Sequence, residues 1–411
     1  MSAAEATSRF RPTPGHPGRR NVFLLAVAQA LFMSVAVIGF SYAGLGGEYL
    51  TGSRAMATVP VGIIGIGSLI ATMPASLLMK RIGRKRGFYL GALAGVLAGL
   101  FGMAGLAWQD FILFCVAMFF LGVYQAVAQY YRFGAVESSE PAFVSRAVSY
   151  VLAGGVVAAI AGPQISIYAR ALLPAVPYFG AYAAIVGLSV LAFLPLWLFR
   201  NPEAINESDL TAGRPLKEIS KTPVFVAAVI NAAAGYALMV LVMTSTPLVM
   251  VDHGHTTNQT AIVIQWHVLA MFVPSFFTGT LIARIGLIPV LGAGMALFAV
   301  AAVVALMGAG LAEFTTSMVL VGIGWNFMFV GGTTLLTESY RSVEKAKVQA
   351  VNEFMVFGVT TVTSFSSGAL LAWFGWDAVN YGVLPILVIV SVVTVWYGIG
   401  RRRAAGAELA E

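Results

Sequence analysis

Ionisable and hydrogen-bonding side chains are scarce in this chain, so each one set among apolar residues stands out. Gln29, Gln125, Gln129, Asn231 and Asn326 are amides inside long apolar stretches, and Trp325 adjoins the last of them. An amide carries donors and an acceptor, so it either bonds across to a neighbouring helix or offers both functions to a polar solute. Arg132 follows Gln125 and Gln129 at helical spacing, and either snorkels to lipid headgroups or attracts an anionic group. Three side chains are candidates to carry a proton: His267 in "IQWHVL", Glu353 and Glu137. Imidazole titrates near pH ~6.5, which suits proton transfer, although a lone buried histidine bonded to a neighbour is the commoner arrangement. No metal-ligand cluster, phosphate-binding glycine loop or nucleophile beside a base is visible. Enzymatic catalysis, a resident metal or cofactor and an ATP-driven pump are therefore disfavoured. Cys115 is the single cysteine, which excludes an internal disulfide.

The elements that position these groups follow from composition. Of 411 residues, 59% are hydrophobic and 10% charged, with a mean hydropathy of +0.86. A soluble domain is about 45–50% apolar. Twelve runs are long enough to cross a hydrocarbon core about 30 Å thick at about 1.5 Å per residue. They lie near 21–43, 56–79, 88–107, 111–133, 147–169, 178–199, 222–249, 258–282, 287–309, 314–336, 348–371 and 379–400. Each must be a helix, because lipid offers backbone N–H and C=O groups no partner. The fold class expected is an all-α integral membrane protein with twelve transmembrane helices.

With a cytoplasmic N-terminus, all of the 24 basic residues except Arg54 and Arg170 fall on or near the cytoplasmic side, as the positive-inside rule requires. Residues 1–20 and 401–411 are then cytoplasmic tails, and the net charge of +7 needs no nucleic acid to explain it. No A-x-A-like cleavage site follows the basic leader, so the first helix is expected to be retained. The block "KRIGRKRG" at 80–87 becomes a tight cytoplasmic turn.

The hydrophilic stretch 200–221 divides the chain into halves of six runs, 21–199 and 222–400. The halves match at an offset near 202: "KRIG" at 80–83 answers "ARIG" at 283–286, Tyr124 and Gln125 fall on Trp325 and Asn326, and Gln29 falls on Asn231. Glu137 likewise falls on Glu338, and Arg146 on Lys347. Parallel six-helix repeats are one of the architectures of secondary transporters, with solute bound where the repeats meet.

From about residue 20 to 400 the chain resembles the major facilitator superfamily. The resemblance rests on the twelve runs, their even division, the central loop and the family's loop motif G-x-L-x-D-R-x-G-R-[RK]. Leu78, Arg81, Gly83, Arg84 and Lys85 match that motif, while Ser76 and Lys80 stand where the family has Gly and Asp. The second half keeps Gly279, Leu281, Arg284 and Gly286, with Ala283 in place of the acid.

The resemblance implies a solute cavity lined chiefly by helices 1, 4, 7 and 10, and hence by Gln29, Gln125, Gln129, Arg132, Asn231, Trp325 and Asn326. It also implies a cytoplasmic gate at Lys80, Arg81, Gly83, Arg84, Glu137, Arg146, Arg284, Gly286, Glu338, Lys347 and Glu353. Because Lys80 replaces an acid, a sign-exchanged Lys80–Glu353 latch is expected, with Arg81, Arg132 or solvent as the alternatives for Glu353. In helix 5, Gly154, Ala158 and Gly162 recur every four residues as a small-residue seam, bent at Pro163. Ala158, Gly162 and Pro163 match half of the family's antiporter motif. The expectation is a secondary transporter moving a small organic solute by alternating access, with proton-linked export by a monomer in the inner membrane as the leading form. Uptake of a polar or anionic metabolite by symport or uniport, and a non-transporting sensor or assembly partner, are the alternatives.

Overall fold

A chain in lipid must satisfy its backbone inside each segment, and the computed structural model is helical throughout its long elements. It describes residues 18–139, 144–172, 174–201, 213–341 and 344–408, with no strand among them. The first half comprises α1 (Gly18–Thr51), α2 (Arg54–Ala57), α3 (Val59–Ile82), α4 (Arg84–Ala107), α5 (Phe111–Ala128), α6 (Tyr131–Glu137), α7 (Val144–Leu172) and α8 (Phe179–Leu198). After the short α9 (Leu216–Ile219) come α10 (Pro223–Asp252), α11 (Thr257–Phe272), α12 (Ser275–Ile285), α13 (Leu287–Met307) and α14 (Leu311–Thr337). The last two are α15 (Lys345–Tyr381) and α16 (Val383–Glu408).

Twelve crossings result. Ten helical stretches are long and apolar enough to span, and α11 with α12 forms one more span, bent by 42°. The last of the ten, Lys347–Arg401, has 55 residues. Its straight length, about 80 Å, would cross twice, and it breaks at Gly375, whose φ of 80 is non-helical.

Two expected spans are not continuous. The run at 111–133 steps at Gln129 and Tyr130 into the separate α6, and the run at 258–282 breaks at Val273 and Pro274. Proline removes the N–H that would bond the Ala270 carbonyl, so the helix cannot pass straight through. Residues 1–17, most of the central loop (202–212) and the last three residues lie outside the described residues.

The repeat inferred from sequence reappears in backbone geometry. Gly83, joining α3 to α4, has φ 86 and ψ 156, and Gly286, joining α12 to α13, has φ 91 and ψ 161. Both lie in a region that side-chain-bearing residues avoid. Packing repeats as well: α1 lies against α7 as α10 lies against α15, and α4 against α5 as α13 against α14. The halves meet where α3 packs on α15 and α7 on α11. Outward faces expose large apolar side chains such as Ile112, Trp197 and Val388, a liability in water and the natural surface in lipid.

Candidate functional site

The five amides differ in their bonding between the two halves. Asn231 is fully buried, and its Nδ2 donates to the Ala227 carbonyl and to Thr394 Oγ1, each at 2.9 Å, tying α10 to α16. Asn326 is also fully buried. It donates to the Met271 carbonyl at 2.7 Å and to Ser275 Oγ at 2.6 Å, and accepts from Thr278 Oγ1 at 2.7 Å. Those partners flank the break at Pro274, so Asn326 ties α14 to both sides of the interrupted helix. In this conformation Asn231 and Asn326 are therefore bonded between helices, one of the two readings the sequence left open for the amides. The amides of the first half differ: Gln29, Gln125 and Gln129 are half-buried, and Gln125 Oε1 has no partner among the described residues.

Trp325 belongs to an aromatic cluster that the amide pattern did not reveal. Its ring stacks on Phe329 with centroids 4.9 Å apart at 12°, and Tyr236 meets both edge-on at 5.2 and 5.3 Å. Phe272, in the last turn of α11 before the break, closes the cluster 6.0 Å from Trp325. The indole Nε1 has no partner among the described residues. Trp325 and Phe329 are four residues apart and so share one face of α14, the available sequence signal. Tyr236 lies within electrostatic reach of Arg132 and Glu353, which places the cluster next to the ionic part of the site.

Arg132 and Glu353 form an ion pair across the halves at 3.3 Å, both side chains about three-quarters buried. Arg132 also lies over the Phe133 ring at 5.1 Å, and its Nε is unpartnered among the described residues. Arg132 is therefore drawn toward the other half rather than to headgroups. Glu353 thus meets Arg132, one of the open alternatives; the expected Lys80–Glu353 latch lies outside the described residues, because the Lys80 side chain does.

The remaining gate residues stay apart from the opposite half. Glu137 accepts both Nε (3.0 Å) and a terminal nitrogen of Arg84, which rests over Tyr130 at 5.5 Å. Glu338 pairs with Arg401 at 3.1 Å, within the second half. Lys347 donates to the Arg214 carbonyl of the central loop. Arg81 and Arg284 are exposed, and the Arg146 side chain lies outside the described residues. Among the described residues, the inner charges that bridge the halves in this conformation are Arg132 and Glu353.

His267 is fully buried, with Nδ1 2.7 Å from the Met318 carbonyl on α14. The carbonyl fixes the ring between α11 and α14, and Nε2 has no partner among the described residues. In the α7 seam, a Cβ on Gly154 would lie 2.7 Å from the Ala26 carbonyl, and one on Gly162 3.3 Å from the Ser34 backbone. Ala158 is fully buried, Pro163 lies within the helix, and Ser166 bonds the Tyr42 hydroxyl at 3.2 Å. The seam therefore serves close packing of α7 on α1. Among the described residues no group of His, Cys, Asp and Glu could hold a metal ion.

The family model described as Major Facilitator Superfamily matches residues 22–273 and 243–410. The riboflavin transporter RfnT of Brucella anthropi is 39% identical over 382 residues, covering 92% of this chain and 96% of that protein. The uncharacterized MFS-type transporter YdeG of Bacillus subtilis is 27% identical over 403 residues, covering 91% of each. Among solved structures, a bacterial homolog of the human lysosomal transporter Spinster, inward-facing and unoccupied, aligns with a TM-score of 0.68 at 13% identity, covering 95% of this chain and 98% of that one. An auto-inhibited POT family peptide transporter aligns with a TM-score of 0.66 at 12% identity, covering 93% and 97%. Twelve crossings in two repeated halves and matches spanning the chain lead to one conclusion: this chain is a transporter of the Major Facilitator Superfamily.

Proposed function

We propose that the protein carries riboflavin or a closely related flat, polar-edged heterocycle by alternating access. The observation that carries this reading is the cluster of Tyr236, Phe272, Trp325 and Phe329 set beside unpaired polar groups. A fused aromatic ring stacks on such a surface, while its imide edge and a hydroxylated chain need neutral donors and acceptors. Within the cluster the unpartnered Trp325 Nε1 is one such donor, and we assign Gln29, Gln125 and Gln129 the remaining polar contacts. The 39% identity to a riboflavin transporter over nearly the whole chain supports the same cargo. An uncharged solute also suits a site whose two charges, Arg132 and Glu353, neutralise one another.

By the distribution of basic residues, the end carrying the termini faces the cytoplasm, in a bacterial inner membrane. The protein works as a monomer, and Glu353 is the group through which a proton gradient would be coupled. The half-matched motif of α7 favours export, but its residues are accounted for by packing, so flux is to be measured in both directions. Riboflavin flux into and out of proteoliposomes, with and without a pH gradient, tests the proposal. Saturable flux is expected, with its KM raised in Trp325→Ala; flux no faster than in protein-free vesicles would exclude flavin as cargo. Accumulation driven by an inward proton gradient would assign symport in place of antiport.

A further inference from the structure

Arg54 and Arg170 are the two basic residues that sequence places away from the termini-bearing end, and both join the halves at the far end. Arg54, at the start of α2, donates through Nε to Glu48 Oε1 of α1 at 2.8 Å. Its terminal nitrogen pairs with Asp252, the last residue of α10 in the other half. Arg170, near the end of α7, donates to Asn258 Oδ1 of α11 at 2.7 Å. Deeper along the same two helices Gln164 donates to Gln265 at 2.9 Å. Beside these, α3 and α15 touch so closely that a Cβ on Gly62 would lie 2.6 Å from the Phe365 ring, and one on Gly368 would collide with Thr58. The far end is therefore closed in this conformation. At the other end Glu137 and Glu338 are bonded within their own halves and Lys347 to the central loop, while Arg132 meets Glu353 across the halves.

We infer that Glu48, Arg54 and Asp252 form the latch of the closed far end, with Glu48 as the group that holds Arg54 ready while the latch is open. Opening moves α10 away from α1 and α2, so the Arg54–Asp252 bridge must break. Glu48 and Arg54 are six residues apart in one half, so their bond survives the motion. Arg54 then never stands without a counter-charge. Asp252 therefore favours the closed state, whereas Glu48 stabilises Arg54 once Asp252 has left and so favours the open one. Removing the two carboxylates must shift the equilibrium in opposite directions, because each biases a different state.

This rests on alternating access and not on the identity of the cargo, and its test needs no solute. In a Cys115→Ser background, Thr58→Cys is a probe: Thr58 is 1% exposed and covered by α15 of the other half, so it reacts when the far end opens. Labelling by a water-soluble maleimide is followed for purified protein in lipid nanodiscs. Asp252→Asn is expected to speed labelling about 2- to 5-fold, and Glu48→Gln to slow it by a similar factor, the range typical of partly exposed ion pairs. Should Asp252→Asn not elute as a monodisperse protein, Arg54→Gln breaks the same bridge and carries the same expected rise. Unchanged rates, or rates that move the same way for both carboxylate variants, overturn the inference. Loss of flavin transport with this opposite pair of shifts intact would remove the cargo proposal and leave the latch standing.

Discussion

Trp325 and Glu344 show what a single side chain contributes, and how unequally sequence announces it. Trp325 entered through the repeat, opposite Tyr124, but Tyr236, Phe272 and Phe329 did not: in a chain that is 12% aromatic, no aromatic residue is conspicuous until its neighbours are known. Aromatic pairs contribute about 0.5–1.5 kcal/mol beyond the area they bury. Trp325→Ala should therefore raise the KM for riboflavin by about tenfold, while Trp325→Phe, which keeps a stacking face, should raise it far less. Equal losses in both variants would point to the indole N–H instead of the ring face. Glu344 is fully buried against the central loop and accepts bonds from Arg214 N, Nε and a terminal nitrogen at 2.7, 3.0 and 2.8 Å, and from Arg341 N at 2.9 Å. The Arg214 guanidinium, seconded by the backbone N–H groups, holds its carboxyl well below the ordinary value of 4.5. A depressed folded value means stability that is fully present above the ordinary value and lost as pH falls toward the folded one. Glu344→Gln should lower Tm at neutral pH, with the gap to wild type constant down to about pH 4.5 and narrowing only below it. A gap that closes between pH 8 and 6 would exclude this carboxylate as the source.

At the scale of elements, turns were legible and breaks were not. "KRIG" and "ARIG" mark the same tight turn in both halves, and Gly83 and Gly286 share nearly the same positive φ. Side-chain-bearing residues pay about 1–2 kcal/mol for that region, so Gly83→Ala and Gly286→Ala should each destabilise by about that much. Gly292→Ala, in ordinary helix with open space around it, should cost nothing and stabilise by up to about 1 kcal/mol in the same thermal unfolding series. The break in span 8 escaped notice because apolar periodicity runs on through Val273 and Pro274, and hydropathy does not register a missing N–H. The repeat does not extend to bonding here. Asn326 aligns with Gln125, yet its half contains Pro274, and in this conformation the amide ties α14 to both sides of that break. Asn326→Ala leaves the Met271 carbonyl and two hydroxyls short of a partner, at a cost of about 1–3 kcal/mol. Its effect should appear as lowered stability with the KM of surviving protein close to wild type. A raised KM without lost stability would place Asn326 among the solute ligands.

At the scale of the molecule, the sequence specified the twelve crossings and the two halves because hydropathy and charge record where lipid and water lie. It left open which charge meets which, because that depends on the state of the transport cycle. Among the described residues, an ion pair between gate charges crosses from half to half where Arg132 meets Glu353, and at the far end Arg54 meets Asp252. Both contacts bridge bodies that must move relative to each other, so each is made and broken once per cycle. When the halves separate there, Glu353 parts from the cation it meets in this conformation, and a proton exchanged at that carboxylate would, on the proposed coupling, link the gradient to the motion. Glu137 is bonded within its own half, to Arg84, and so does not part from its cation in the same motion. Glu353→Gln should accordingly abolish the dependence of riboflavin flux on a pH gradient while preserving exchange of labelled for unlabelled solute at equal concentrations, since the amide stands in for the neutral acid throughout. Arg132→Gln should weaken the gradient dependence as well, because the proton on Glu353 would no longer be displaced. Wild-type gradient dependence in Glu353→Gln would place the coupling group elsewhere and leave the pair a purely mechanical contact.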